Sequence, residues 1–237
     1  LQNMPVRTDM GRRLRKAFCA STGCVLLAAD YSQIELRVLA DISNDSVLQQ
    51  SFFNKEDIHA RTAAEVLGIG IDEVTPQQRR SAKAVNFGIV YGISDFGLAQ
   101  DLGISRGEAK AYIEAYLQRY DGVRQYMQDI VAQGREHGFV QTLCGRKRWL
   151  PDLRSRNFNL RSFAERTALN TPIQGTAADI IKLAMLRVQQ ALTEAGLQSR
   201  MLLQVHDELI FDVPRTELEQ LQALVREAME GAFALKV

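Results

Sequence analysis

The apolar positions of the chain fall into a few short strand-like runs separated by long stretches with helical spacing. Cys24-Val25-Leu26-Leu27-Ala28-Ala29 is an unbroken apolar run that ends at Asp30, the pattern expected of a buried strand. Met201 to Val205 and Leu209 to Val213 flank a tight turn at His206-Asp207-Glu208 and predict a hairpin. A second hairpin is predicted from Phe139 to Leu143 and Arg146 to Leu150, stopped by Pro151.

Elsewhere the period is helical. Helices are expected at 33–41, 46–53 and 57–67, the last closed by Gly68. Thr75 and Gln78 form a capping box with Pro76 at the first helical position, so a helix starts at 76 and runs to about Gly92. Ser105 and Glu108 repeat that signal for a helix to about Tyr120, and Val123 to His137 continues as another. A polar loop over 151–159 precedes helices at about 160–170 and 176–195, the second ended by Gly196. A last amphipathic helix is expected at about 215–232, and Leu235-Lys236-Val237 reads as the beginning of a strand. A small antiparallel sheet assembled from distant segments, with a mostly helical insertion, makes the expected fold class α+β.

Composition changes this picture little. With 237 residues and 46% hydrophobic content, the chain is able to bury a core of one large or two small domains. No apolar stretch approaches the roughly 18 residues needed to cross a bilayer, and the N-terminus lacks a signal-peptide layout, so neither membrane insertion nor secretion is expected. Cys19, Cys24 and Cys144 are odd in number and form no CxxC pair, which argues against a disulfide framework or zinc site and leaves them as reduced filler.

Charge is more informative than its sum. The net charge is +1, but residues 1–16 carry +4 and residues 146–166 carry +5, while residues 207–237 carry −4. Local basic patches of this kind suit phosphate, or are simply solvated faces.

The candidate chemistry lies at the strand ends. Asp30 and Asp207 each follow an apolar strand, so two strands are able to bring two carboxylates together. Such a pair repels unless one member takes a proton or a divalent cation lies between them. Metals shared by two carboxylates are the minimal machinery for phosphoryl transfer. Taken singly, Asp30 could instead cap the next helix, and Asp207-Glu208 could merely make a turn. Arg79, Lys83, Phe87 and Tyr91 recur at steps of four, forming a slowly turning stripe about 18 Å long on a helix. Cations lead and rings follow, the polarity of an extended nucleoside triphosphate. There is no GxxxxGK[ST] run, so a triphosphate would be gripped by side chains. Gly88 and Gly92 suggest that backbone passes close to a neighbour or bends there.

Three segments carry a family resemblance. Asp30-Tyr31-Ser32-Gln33-Ile34-Glu35-Leu36-Arg37, the run from Arg79 through Lys83 and Phe87 to Tyr91-Gly92, and Val205-His206-Asp207-Glu208 resemble, in order and spacing, the signature motifs of family A DNA polymerases of the bacterial type. Flanking segments match as well, including Leu1-Gln2-Asn3-Met4-Pro5-Val6-Arg7, Asp57-Ile58-His59 and Pro172-Ile173-Gln174-Gly175. The resemblance covers essentially the whole chain.

It implies a DNA-directed DNA polymerase that adds deoxynucleotides to a primer 3′-hydroxyl with release of pyrophosphate. Palm segments would span 1–41 and 161–237, with fingers at 42–160. Asp30, Asp207 and the main-chain carbonyl of Tyr31 would hold two magnesium ions, which manganese is able to replace, and Glu208 would stand outside them. Lys83 is the implied proton donor to pyrophosphate. Gln33, Glu35, His59, Arg79, Lys83, Phe87 and Tyr91 would contact the nucleotide, with Glu35 beneath the sugar excluding a 2′-hydroxyl and Phe87 disfavouring dideoxynucleotides. Arg7, Arg166, Asn170, Gln174 and His206 would contact DNA near the primer terminus, largely in the minor groove, where readout is degenerate.

The implied partners are primer-template DNA and dNTPs. The implied protein is a monomer without a membrane, normally joined to a thumb, working in a bacterial cytoplasm at the nucleoid, with a phage or organelle as the alternatives left open. A two-metal nuclease would account for the acids alone, and a non-catalytic DNA-binding module for the basic patches alone.

Overall fold

The computed structural model describes residues 8–237. Arg7, expected to touch DNA, and the motif from Leu1 to Val6 lie outside the described residues. The elements are α1 (Asp9–Arg15), β1 (Cys24–Asp30), α2 (Ile34–Ser43), α3 (Ser46–Phe53), α4 (Ile58–Leu67), α5 (Pro76–Val90), α6 (Asp95–Leu102), α7 (Arg106–Arg119), α8 (Asp121–His137), β2 (Phe139–Gln141), β3 (Lys147–Trp149), α9 (Phe158–Glu194), β4 (Arg200–Val205), β5 (Glu208–Pro214) and α10 (Leu218–Glu230). The described chain packs as two compact units. The smaller joins residues up to Ser32 with Ala178–Ala234, and the larger joins Gln33–Ala177 with Leu235–Val237. These packing units divide after 32 and 177.

In the smaller unit an antiparallel sheet runs β1-β5-β4. β5 sits in the middle because both neighbours pair with it, Asp30 opposite Glu208 on one side and Val205 opposite Glu208 on the other. Leu209, Phe211 and Val213 alternate into a core with Val188 and Leu192 of α9 and Leu221, Val225 and Met229 of α10. Only one face is covered. Leu26 is 44% exposed and Leu202 49% exposed on the other, so the strand at 24–30 is not buried, contrary to its unbroken apolar run. An edge strand of a half-covered sheet needs only every second residue to be apolar, and the run could not reveal which half was wet.

The larger unit is helical, with a small hairpin pairing Phe139 with Trp149 and Gln141 with Lys147. Both expected capping boxes form: Thr75 with Gln78, and Ser105 with Glu108. Several expectations are corrected. The helices at 160–170 and 176–195 are one 37-residue helix, α9, which passes through Pro172. Proline removes one backbone donor and strains one turn, a loss that burial of Pro172 and its neighbour Ile173 outweighs. α6 was not expected, although Ser94 caps it and Gly103 ends it at φ 66°. Residues 151–154 form a 3₁₀ turn rather than open loop, and Arg215–Glu217 form another before α10. Leu235–Val237 is not a strand; the Lys236 N–H donates to Asp41 Oδ1 at 2.9 Å. No cysteine forms a disulfide, and Cys19 and Cys144 are exposed, so neither fills a core. Among the described residues no helix is long and apolar enough to cross a membrane.

One contact supports the larger unit at a single point. Asp45 caps α3 through the Leu48 N–H at 2.9 Å and accepts from the Gly122 N–H of α8 at 3.0 Å. A Cβ at Gly122 would stand 2.9 Å from both the Asp45 Cα and the Ser43 carbonyl oxygen, backbone atoms that cannot swing aside. Gly122→Ala is therefore expected to lower the unfolding free energy by about 2 kcal/mol, read from a shift in the denaturant midpoint. An unshifted midpoint would show that α3 and α8 separate freely here.

Candidate active site

The carboxylates come together because β1 ends where β5 begins. His206 and Asp207 form the two-residue turn between β4 and β5, and Glu208 is already in the strand rather than the turn. The turn needs a left-handed residue, supplied by His206 at φ 55°. The Tyr31 N–H donates to the Asp207 carbonyl at 3.2 Å, tying the end of β1 to the turn. The Asp30 carboxyl is held above its ordinary pKa by partial burial, by the charges of Asp207 and Glu208, and by a side-chain hydrogen bond with Asp207. Two carboxylates placed this way repel each other, a repulsion that a cation between them would relieve. Asp30 does not cap α2. That position is Gln33, in a left-handed conformation without a side-chain cap.

Tyr31 is fixed from its other end. Its hydroxyl donates to the Met229 carbonyl at 2.6 Å, and burial pushes the phenol pKa up to about 12. Among the described residues no group of three or more His, Cys, Asp or Glu side chains is arranged to hold a metal. What the hairpin offers is a carboxylate pair beside a main chain anchored by Tyr31.

The helical stripe forms in the larger unit. Arg79 and Lys83 are exposed on α5 and Phe87 is half-buried. Tyr91 lies just past the helix, which ends at Val90 rather than near 92. The reason is the turn that follows: Gly92 takes φ 65°, and the Ile93 N–H returns to the Gly88 carbonyl at 2.8 Å. A Cβ at Gly92 would also meet Arg166 Cγ at 3.1 Å. The Lys83 ammonium sits 6.0 Å from the Phe87 ring centroid. Phe87, Tyr91, Gly92, Ile93 and Arg166 line a cavity of about 490 Å³.

Two residues inside the matching segments, Asp57 and Asn86, support this stripe. Asp57 caps α4 through the His59 and Ala60 N–H groups, both at 3.0 Å, and accepts from Arg79 Nε at 2.8 Å. Burial would raise the Asp57 pKa, but the Ala60, Arg79 and His59 bonds together hold it below the usual carboxylate value. Arg79 is thus aimed before any ligand arrives. Asn86 contacts the Nδ1 of His59 at 3.0 Å. His59 itself is only 3% exposed and lies 5.8 Å from the Phe87 ring, centroid to centroid. Burial lowers its pKa to about 4; Asp57 opposes this, and Arg79 and Lys83 add to it, so the ring is neutral. An Asp-x-His segment ahead of a helix signals the cap, but nothing in it signals the asparagine.

Glu35 is not a bare surface carboxylate. Tyr91 donates its hydroxyl to Glu35 Oε2 at 3.1 Å, linking α2 to the end of α5. Arg166, Asn170 and Gln174 recur at steps of four along α9 and share one side of it. Arg166 donates to Ser162 Oγ at 3.0 Å. With its amide oriented nitrogen-first, as the two facing carbonyls require, Asn170 donates to Arg166 at 3.2 Å and Val90 at 2.5 Å, which binds α9 to the end of α5. Gln174 is half-buried one turn further on. His206 is exposed on the hairpin of the smaller unit.

Residues 1–237 match the family model of DNA polymerase family A. The chain belongs to that family. Over its whole length it is 57% identical to the DNA polymerase I of Lactococcus lactis subsp. cremoris and 58% identical to that of Bacillus subtilis, covering 27% of each. It thus spans about a quarter of the length of these family A relatives. A solved structure described as the POL domain of Pol1 from M. smegmatis in complex with DNA primer-template and dNTP is 52% identical. That structure superposes with a TM-score of 0.95, over all of this chain and 42% of the other. The α+β architecture expected from sequence is therefore the architecture of a family A polymerase.

Proposed function

We propose that this chain is the reacting and nucleotide-holding part of a template-directed DNA polymerase that extends a primer 3′-hydroxyl and releases pyrophosphate. The observation that carries the reading is the carboxylate pair at the β1 and β4–β5 ends, on residues that match the family motifs. Asp30 and Asp207 fit a divalent cation, because each holds a negative charge that the other opposes and that a cation would neutralise. They would hold two magnesium ions, with the Tyr31 carbonyl as a further ligand and Glu208 outside. Bound there, the ions would acidify the primer hydroxyl and neutralise the triphosphate.

The remaining roles belong to the chain's own side chains. Arg79, held in place by Asp57, and Lys83 bind the triphosphate, and Lys83 gives a proton to the departing pyrophosphate. Gln33 and His59 add nucleotide contacts, Phe87 packs near the sugar and Tyr91 near the base or the template position. Arg166, Asn170, Gln174 and His206 meet the primer-template duplex. Residues 1–41 and 161–237 would be the palm and 42–160 the fingers of a longer monomeric enzyme of the bacterial cytoplasm, in which a thumb holds the duplex.

Glu35 supplies the sugar test. With its carboxylate held by the Tyr91 hydroxyl, it occupies a fixed position and would exclude a 2′-hydroxyl. Glu35→Ala is expected to raise ribonucleotide incorporation relative to deoxynucleotide at least about tenfold, measured as the ratio of kcat/KM values. An unchanged ratio would remove Glu35 from sugar selection.

The reading itself is tested by incubating the full-length polymerase with primed template, dNTPs and magnesium, and following primer length and DNA binding. Extension supports it. Degradation of the primer would point to a nuclease, and binding without extension to a non-catalytic module.

A further inference from the structure

The buried polar group around Asn86 allows its protons to be placed one by one. Asn86 and Thr62 are fully buried, on α5 and α4. The Thr62 hydroxyl donates to the Ile58 carbonyl at 2.8 Å, a good helical back-bond that uses its only hydrogen. Thr62 Oγ1 is then an acceptor toward everything else. The Tyr120 hydroxyl, 3.3 Å away, must be the donor of that pair. The Asn86 amide nitrogen, 3.1 Å away, donates to Thr62 as well. Its second hydrogen faces His59 Nδ1 at 3.0 Å. The amide is placed with its nitrogen, which can only donate, toward His59, and with its oxygen 3.2 Å from Thr62 Oγ1 as a second and longer acceptor for the Thr62 hydrogen. His59 Nδ1 is therefore an acceptor, and the proton of the neutral ring is on Nε2.

We propose that Asn86 is a positioning residue that fixes His59 as the neutral Nε2–H form, so that His59 offers the incoming triphosphate a directed hydrogen-bond donor rather than a third cation. This rests on the polymerase reading above. The division of labour follows from location. Arg79 and Lys83 are exposed and able to carry charge at little cost, whereas an imidazolium at a 3% exposed position would have to be desolvated. A neutral N–H avoids that cost and still selects a phosphate oxygen by direction. Tyr120 extends the same network to the junction of α7 and α8, which locks the ring's supporting shell on three helices and not on a loop.

The test is nitrogen NMR of the chain labelled at histidine, where His59 is one of only three histidines. The expected result is an unprotonated Nδ1 and a protonated Nε2 for His59 at neutral pH, with the Nε2–H resonance shifting when dATP is added. The ionised carboxylate of Asn86→Asp, paired with His59, only accepts, so the variant is expected to move the proton to Nδ1 and to raise the His59 pKa to or above its ordinary value. A protonated Nδ1 in the unsubstituted chain would overturn the proposal, as would an unchanged tautomer in a folded Asn86→Asp variant. So would a His59 resonance indifferent to dATP while the full-length enzyme extends primers. If instead primers are not extended although the tautomer and the dATP response are as expected, the polymerase reading fails and the assignment of Asn86 stands. Should Asn86→Asp not fold, the measurements on the unsubstituted chain still decide.

Discussion

Replacing Asp207 with alanine or asparagine is expected to reduce nucleotide incorporation by on the order of 10³-fold or more, while primer-template binding changes little. Asp30→Ala or Asp30→Asn is expected to do the same. The asymmetry between chemistry and binding follows from where the groups sit. Asp30 is exposed at the end of an edge strand, and Asp207 lies in a hairpin turn; neither carboxylate fills the core built from Leu209, Phe211 and Val213. The backbone bond from the Tyr31 N–H to the Asp207 carbonyl is made by main-chain atoms and survives either substitution. Losing one member also relieves a like-charge contact, so thermal stability should be unchanged or slightly raised. In the proposed complex, DNA affinity would rest on cations such as Arg166, which are untouched. The measurements are single-turnover incorporation, a duplex-binding titration and a melting curve for each variant. Turnover within tenfold of the unsubstituted enzyme in either alanine variant would leave the reaction without the centre proposed for it.

Lys83→Ala is expected to lower kcat by about 10²- to 10⁴-fold, the range for loss of a positioned proton donor. No neighbouring side chain is placed to replace it. Arg79, one turn earlier, is engaged by Asp57 at 2.8 Å, and Arg80 is displaced by one helical step from the stripe. Phe87, one turn later, gives the ammonium a ring face at 6.0 Å but no proton. Lys83→Arg separates the two roles assigned to the lysine. A guanidinium keeps the charge and is not deprotonated at accessible pH, so dNTP affinity should recover while kcat remains low. If Lys83→Arg restores kcat fully, the lysine serves only as a charge and another group protonates the pyrophosphate.

Much of the fold was legible because its signals are local. The capping boxes at Thr75 and Ser105, the Gly68 and Gly196 stops and the hairpin around His206-Asp207 each depend on residues within about five positions, and each formed. Where local signals misled, a neighbour distant in sequence overruled them. Two helices were expected with a gap between 170 and 176, but Pro172 is buried in α9 and the helix continues through it. The run from Cys24 to Ala29 looked fully buried, but only one face of its sheet is covered. Leu235–Val237 looked like a strand, but the segment is held by Asp41 instead.

The candidate site divides in the same way. Arg79, Lys83 and Phe87 were readable as a stripe because the helix repeats every 3.6 residues, whereas Arg166, Asn170 and Gln174 were named by resemblance alone and share one side only because α9 is continuous. Asp57 was placed at the start of a helix, but its grip on Arg79 was not legible, since 22 residues separate them. Asn86 gave no signal at all. An asparagine inside a helix reads as a weak helix former, and only the packing of α4 against α5 turns it toward His59.

By itself, the order of residues determined which segments become helices, which become strands, where most of them stop, and which family the motifs resemble. Those outcomes are decided by hydrogen bonds closed within a turn or two and by the spacing of apolar side chains. Only the tertiary structure decided that β5 lies between β1 and β4, that Asp30 therefore stands against Asp207, and that His59 is buried, neutral and held by Asn86. Each of these depends on which surfaces exclude water together, and that is settled by contacts between residues far apart along the chain.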